Sequence, residues 1–196
     1  SAPTSLTVQL GLGGVSAFAQ FDIRLADYHF NFPPTIDAAS SEFFVRHSPA
    51  HSGGVDSVSG TISFQDFNIG DSPTVTAKFD SFKVLDAHGN DITGTLTAKQ
   101  LAAVAAIEAN LVVAPGAGNA ATWTYSVADR ALDFLGAGRT LVLTYQAQID
   151  TNFAGINTTA FTTFKITMSS PHVVEWIFPG DGLWSIGSNW KTGLFP

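Results

Sequence analysis

Two runs in which apolar and polar residues alternate, Trp123/Tyr125/Val127 and Leu141/Leu143/Tyr145/Ala147/Ile149, carry the clearest periodicity in the chain. A period of two puts every second side chain on one face of a strand, so each run predicts a strand with one buried face. Between them lies a stretch too short for a full helix, ended by Gly136 and Gly138, whose open backbone suits a helix stop. Ser126 and Asp129 have the spacing of a capping box, which predicts that Ser126 caps the amides of that turn. Thr122–Ile149 is therefore expected to be strand, helical turn, strand, and to be the centre of the fold.

The rest of the chain repeats the same texture. Ser5–Leu10 alternates as a strand before the glycine-rich GLGG at 11–14, and Phe18–Phe32 places Phe21, Ile23 and Leu25 on one face until Pro33-Pro34 interrupts the ladder. Phe43–Val45 is a short strand candidate, followed by the loop HSPAHSGG. Strands are then expected at Ser59–Phe64, Thr74–Phe79, Phe82–Leu85, Ile92–Leu96 and Thr158–Met168, the last with Phe164, Ile166 and Met168 inward. One segment changes period. Leu101, Val104, Ile107 and Leu111 recur at three or four residues, and Thr97 with Gln100 forms a second capping-box signature, so Thr97–Leu111 predicts a short helix.

Six or seven strands at this spacing, with turn chemistry between them, predict an all-β immunoglobulin- or cadherin-like antiparallel β-sandwich with one or two short inserted helices; a β-barrel is the alternative. The mixed stretch Thr35–Gly54 and the change of texture from Pro171 suggest three segments: a β-rich extension or part of a preceding module at 1–54, the sandwich at 55–170, and a tryptophan-rich tail of short strands, or the start of a next module, at 171–196.

Composition narrows the function classes. The 196 residues include no cysteine, so stability must come from packing, with or without bound ions. Nine basic residues against sixteen acidic ones give a net charge of −7, which argues against a nucleic-acid backbone as partner. No apolar run approaches the roughly 20 residues of a membrane helix. Ser1 is not an initiator Met and no charged-then-apolar leader precedes the first strand, so any export signal is expected outside these residues.

Acidic loops suit hard cations. In the segment 66–71, Asp66, Asn68 and Asp71 offer oxygen ligands around Gly70, which could converge on Ca²⁺ or simply form an Asx-turn loop. Asp150 and Asn152 present the same two readings, and Asn90-Asp91 is a third, poorer pair. His47 and His51 have i,i+4 spacing, but Pro49 between them makes a zinc-bearing helix improbable. The chain lacks the G-x-S-x-G elbow and a cysteine nucleophile, and GLGG lacks the third glycine of a dinucleotide loop. Trp176, Trp184 and Trp190 could stack on sugar rings; equally, they could cover a core edge.

Three blocks, GTISFQDFNIGD at 60–71, GTLTAKQ at 94–100 and TWTYSVADRALDFLGAGRTLVLTYQAQI at 122–149, resemble the VCBS repeat in the right order, over roughly Val55–Met168. Two departures stand out: the long insertion at 101–119, and Arg139 where that family usually has an acidic residue. The tail GLWSIGSNWKTGLFP at 182–196 looks like a tryptophan-and-asparagine module found at the start of β-solenoid passenger segments of exported proteins. The VCBS resemblance implies an extracellular or outer-membrane-associated cell-surface location and a non-enzymatic structural or adhesive role. It also implies neighbouring repeats in the same chain as partners, Ca²⁺ at loops between domains, and a glycan or cell-surface receptor as a further partner. The alternative function is a carbohydrate-binding module using the three C-terminal tryptophans; an accessory domain of a secreted hydrolase is a third reading.

Overall fold

A computed structural model describes residues 4–12, 15–23, 32–46, 54–67, 72–152, 158–170, 179–183, 185, 186 and 189. The chain divides into two units, Ser1–Asn31 and Phe32–Pro196. In the first, β1 (Thr4–Leu12) and β2 (Val15–Ile23) form an antiparallel hairpin in register from Thr4↔Ile23 to Leu12↔Val15. The strand expected at 18–32 thus begins earlier, at Val15, and residues 24–31 of it lie outside the described residues.

The second unit contains β3 (Thr35–Ala39), β4 (Glu42–Val45), β5 (Val55–Gln65), β6 (Thr74–Leu85), α1 (Ala98–Ile107), β7 (Leu111–Pro115), β8 (Ala120–Ala128), β9 (Thr140–Asp150) and β10 (Thr159–Ser169). Two four-stranded sheets result, ordered β3-β5-β8-β7 and β4-β10-β9-β6. Every neighbouring pair is antiparallel except β4 and β10, which run parallel. With the first strand split between the sheets, this is the strand order of an immunoglobulin-like sandwich, and the two sheets remain separate rather than closing into a barrel.

The boundary expected at 54/55 moves to 31/32. Its physical reason is the split first strand: β3 pairs with β5, and β4 with the far end of β10. Two adjacent serines fix the crossing between sheets. Ser40 Oγ accepts from the Thr61 amide of β5 at 2.8 Å, and Ser41 Oγ accepts from the Lys165 amide of β10 at 2.9 Å. Each serine thereby ties the switching chain to a different sheet.

Alternation places the core. Leu141, Leu143, Tyr145, Ala147 and Ile149 of β9 are all buried, as are Phe164, Ile166 and Met168 of β10, facing Ile62, Trp123, Tyr125 and Val127 of the other sheet. Aromatic rings occupy the middle: Trp123 stacks on Phe164 with centroids 5.1 Å apart, and Phe164 stacks on Tyr145 at 5.7 Å. Gly60, the cross-strand partner of Trp123, leaves room for the indole; a Cβ there would fall 2.5 Å from its Cζ2.

Several local expectations change in the folded chain. The strands expected at 74–79 and 82–85 are one strand, β6, whose pairing with β9 slips between Phe79 and Ser81. Asp80 is the extra residue of that bulge, and it switches the inward parity from Val75/Ala77/Phe79 to Phe82/Val84. Ile92–Leu96 is not a strand. Asp91 makes a single bridge to Leu85 and Thr93–Thr95 forms a 3-10 turn, because local side-chain bonds compete with a ladder: Asp91 Oδ1 accepts from Thr93 N–H and Ile92 O from the Thr95 hydroxyl. Ser126 caps nothing. It lies within β8 and shares a hydrogen bond with the Ser57 hydroxyl at 2.8 Å, while the 3-10 segment Asp129–Leu135 starts from Ala128 without a side-chain cap.

The capping box of α1 forms as its spacing predicts: Thr97 Oγ1 accepts from Gln100 N–H, and Gln100 Oε1 accepts from Thr97 N–H. The helix stops at Ile107, four residues short of the expectation, and Leu111 instead opens β7. Two buried phenols stand at that stop. Tyr125 donates to Ile107 O and Tyr145 to Glu108 O, satisfying carbonyls that a helix end leaves open.

Burial pushes both phenols well above the ordinary value of 10.0, with smaller contributions from Tyr145 on Tyr125 and from Glu108 on Tyr145. The unfolded chain loses these protons near pH 10 and the folded chain holds them, so their stabilisation is complete below that pH and declines above it. Stability is expected to fall by about 1.4 kcal/mol per pH unit for each phenol above pH ~10. Urea midpoints measured between pH 8 and pH 11 check this, and a midpoint that stays level would contradict it.

Candidate functional site

The first strand of the sandwich begins and its last strand ends at opposite poles. Thr35 opens β3 opposite Gln65, the last residue of β5, so the entry pole also carries the β5–β6 connection, the start of β6 and the turn from β9 to β10. Ser169 closes β10 opposite Thr140, and Ser170 leaves held by its amide to Arg139 O at 2.9 Å and by its carbonyl to Gly138 N–H at 3.1 Å. That end is the exit pole.

The entry pole brings together candidate loops that are far apart in sequence. Asp150 pairs with both Thr74 and Thr159, and the Asn152 amide side chain donates to Ser72 O at 2.9 Å and to Thr74 Oγ1 at 3.1 Å. The end of β9 is thereby tied to the residue following Asp71. Asn152 has the left-handed φ of 54° that asparagine tolerates, and its backbone N–H donates to Asp150 Oδ1 at 3.0 Å. That is an Asx turn, the simpler of the two readings for this pair. Asp66 follows the end of β5 at the same pole. Asn68 and Asp71 lie outside the described residues, as do Trp176, Trp184, Trp190, His47 and His51. Among the described residues no group of three or more His, Cys, Asp or Glu side chains gathers as a metal site would require. A cavity of about 340 Å³ also opens here, lined by Phe64, Pro73, Val75, Pro115, Asn119 and Ala121, none of them a candidate metal ligand.

Asp86, not Asp91, organises the third acidic turn. Its Oδ1 accepts from the His88 and Asn90 amides and its Oδ2 from the Asn90 side chain, and these bonds, the Asn90 side chain first, hold its carboxyl below the usual range. The turn is closed by the protein's own donors, which explains it without a cation.

At the exit pole lies a feature the sequence conceals. Arg46, just past β4, is 6% exposed and reaches the 2% exposed Asp129 through both carboxylate oxygens, Nε–Oδ1 at 2.8 Å and Nη2–Oδ2 at 3.2 Å. The same Nη2 also bonds Asp133. The hydrogen bonds that the guanidinium donates to Asp129 raise its pKa further, against the opposing effect of burial. Asp129 additionally donates its backbone N–H to Gly54 O at 2.9 Å, so both ends of the link between β4 and β5 are fastened to one residue. Asp129 and Asp133 lie on the connection from β8 to β9, on the turn whose buried side is Leu132 and Leu135. A groove of about 430 Å³ runs beside it, between α1 and this turn, with Lys99 and Arg130 at its rim.

These features define an immunoglobulin-like module with a filled core, loops carrying carboxylates at one pole and a buried ion cluster at the other. No family model matches the chain, and no curated protein matches it. Among solved structures it is similar to AggA, the major subunit of aggregative adherence fimbriae type I from Escherichia coli, at 14% identity and a TM-score of 0.43, over 73% of this chain and 99% of that one.

Proposed function

We propose that the chain is a non-enzymatic structural and adhesive module of a bacterial cell-surface protein, a VCBS-like repeat that transmits tension between its neighbours, with Ca²⁺ stiffening the entry pole. The observation that carries this reading is that β3 begins at one pole of the sandwich and β10 ends at the other, so that tension between them runs along its length. A core filled by aromatic and aliphatic side chains supports it, since such a core resists deformation. The cation belongs to the reading because Asn152 ties the end of β9 to Ser72 and Thr74, next in sequence to the acidic segment of Asp66, Asn68 and Asp71, and these with Asp150 and Asn152 carry the oxygen chemistry Ca²⁺ takes.

Two measurements test the proposal. Small-angle scattering from two copies joined in tandem is expected to give a maximum dimension near twice that of one copy; a compact pair overturns the linear arrangement. Ca²⁺ at ~10 mM is expected to raise the melting temperature by about 3–10 °C, taking the 10⁻⁴–10⁻³ M affinities usual for extracellular modules. The rise should shrink in Asp66→Asn, Asp71→Asn and Asp150→Asn. No shift in the unsubstituted chain removes the cation from the reading.

A further inference from the structure

Because β4 and β10 are parallel neighbours, tension on the chain acts on them in opposite senses. A pull transmitted from the entry side draws β4 toward the entry pole, and a pull on the departing chain draws β10 toward the exit pole. The two strands must then slide past one another, so their cross-strand bonds are loaded together rather than one at a time. That pairing is short: it spans only Glu42–Val45 against Ile166–Ser169, extended by the Arg46 amide to Ser169 O at 3.0 Å. Four residues of parallel ladder would be a weak joint alone.

We infer that Arg46 is the latch of this joint, the side chain that holds the first strand against sliding when the module is under tension. Its position is the reason. Arg46 stands at the end of β4 farthest from the incoming pull, so β4 cannot shift toward the entry pole without drawing the guanidinium out of its buried bonds to Asp129 and Asp133. Those carboxylates sit on the connection between β8 and β9, which is part of neither β4 nor β10. The latch therefore anchors an edge strand to the link that joins the two sheets, and the Asp129 amide bond to Gly54 O fastens the following segment to the same point. Burial keeps the cluster effective in salt, because ion pairs removed from solvent are screened much less than exposed ones.

This inference rests on the tension-transmitting role proposed above, and pulling direction separates the two. The chain has no cysteine, so paired handles can be placed uniquely. An axial pair uses Pro33→Cys, just ahead of β3, and Ser169→Cys, at the end of β10. A transverse pair uses the exposed positions Lys78→Cys and Val112→Cys, on the β6 and β7 edges, which leaves β4 unloaded. Single-molecule unfolding at constant force is measured for the unsubstituted chain and for Arg46→Met. The unsubstituted chain is expected to unfold more slowly along the axis than across it. Arg46→Met is expected to speed axial unfolding on the order of tenfold or more, as losing hydrogen bonds to a charged group does, while transverse rates change little.

A side chain that merely adds stability would speed both directions equally, and that result overturns the latch. Axial rates unchanged by Arg46→Met overturn it too. Direction-independent unfolding of the unsubstituted chain refutes instead the tension-transmitting role. Should Arg46→Met fail to fold, the triple variant Arg46→Met/Asp129→Leu/Asp133→Asn removes the buried carboxylate together with its cation and is read by the same axial-to-transverse ratio.

Discussion

Trp123→Ala is expected to cost the sandwich about 3–5 kcal/mol, the range for removing a buried aromatic side chain, out of the roughly 5–15 kcal/mol that holds a domain together. The indole is fully buried, lies over Gly60 and stacks on Phe164 with an interplanar angle of 23°. Its removal therefore opens a void between the sheets and leaves Phe164 with one of its two stacking partners, Tyr145. Gly60 cannot refill that void, since it has no side chain to repack. Trp123→Phe should be much milder. The indole Nε1 has no hydrogen-bond acceptor among the described residues, so only volume is lost and no hydrogen bond. Equilibrium urea unfolding of the two variants decides the matter: a cost below ~1 kcal/mol for the alanine variant would mean that the aromatic stack does not hold the sheets together.

Asp129→Ala is the second large effect, about 3–5 kcal/mol, because it leaves the buried Arg46 guanidinium without its bidentate partner. Asp133 remains, but its side chain is 37% exposed, so that pair is a poorer substitute. The diagnostic comparison is with Arg46→Met/Asp129→Leu, where no charge is stranded and most of the stability should return. Chemical denaturation measures both, and equal losses in the single and paired variants would show that packing of the turn, rather than the ion pair, is what Asp129 supplies.

The strands that were legible share one property: their inward faces are long and regular. Leu141 to Ile149 alternates without a break, and Trp123 to Val127 does likewise, so burial on one face sufficed to predict them. Even the Asp80 bulge left a trace, since the inward residues change parity at the point where two strands seemed to meet. Short strands gave no such pattern. In β3 the sequence TIDAA has a bulge of its own between Ile36 and Ala38, and β4 is four residues long. Their membership in the sandwich depends on pairings with β5 and β10 that span up to about 120 positions, which no local window registers.

The site divides in the same way. Thr97 and Gln100 make a cap whose partners lie three residues apart, so spacing alone identifies it. Ser126 and Asp129 have equal spacing, yet the strand retains Ser126 and Arg46 takes the Asp129 carboxylate. Arg46 and its two partners are separated by 83 and 87 residues, a span no local motif covers. The coming together of Asp150–Asn152 with the start of β6 was equally invisible, because it is a property of the β6–β9 register.

β6 is the outer strand of its sheet, its far edge covered only at Val84 and Leu85 by the Asp91–Thr93 segment, and long open strands invite other chains to join them. Here the invitation is withdrawn three times, by Lys78, by the kink at Asp80 and by Lys83, whose ammonium lies 3.4 Å from Asp91. Copies confined side by side are thereby kept from zipping into one another, and deleting Asp80 while replacing both lysines by valine is expected to raise co-aggregation, read by light scattering, above that of the unsubstituted chain.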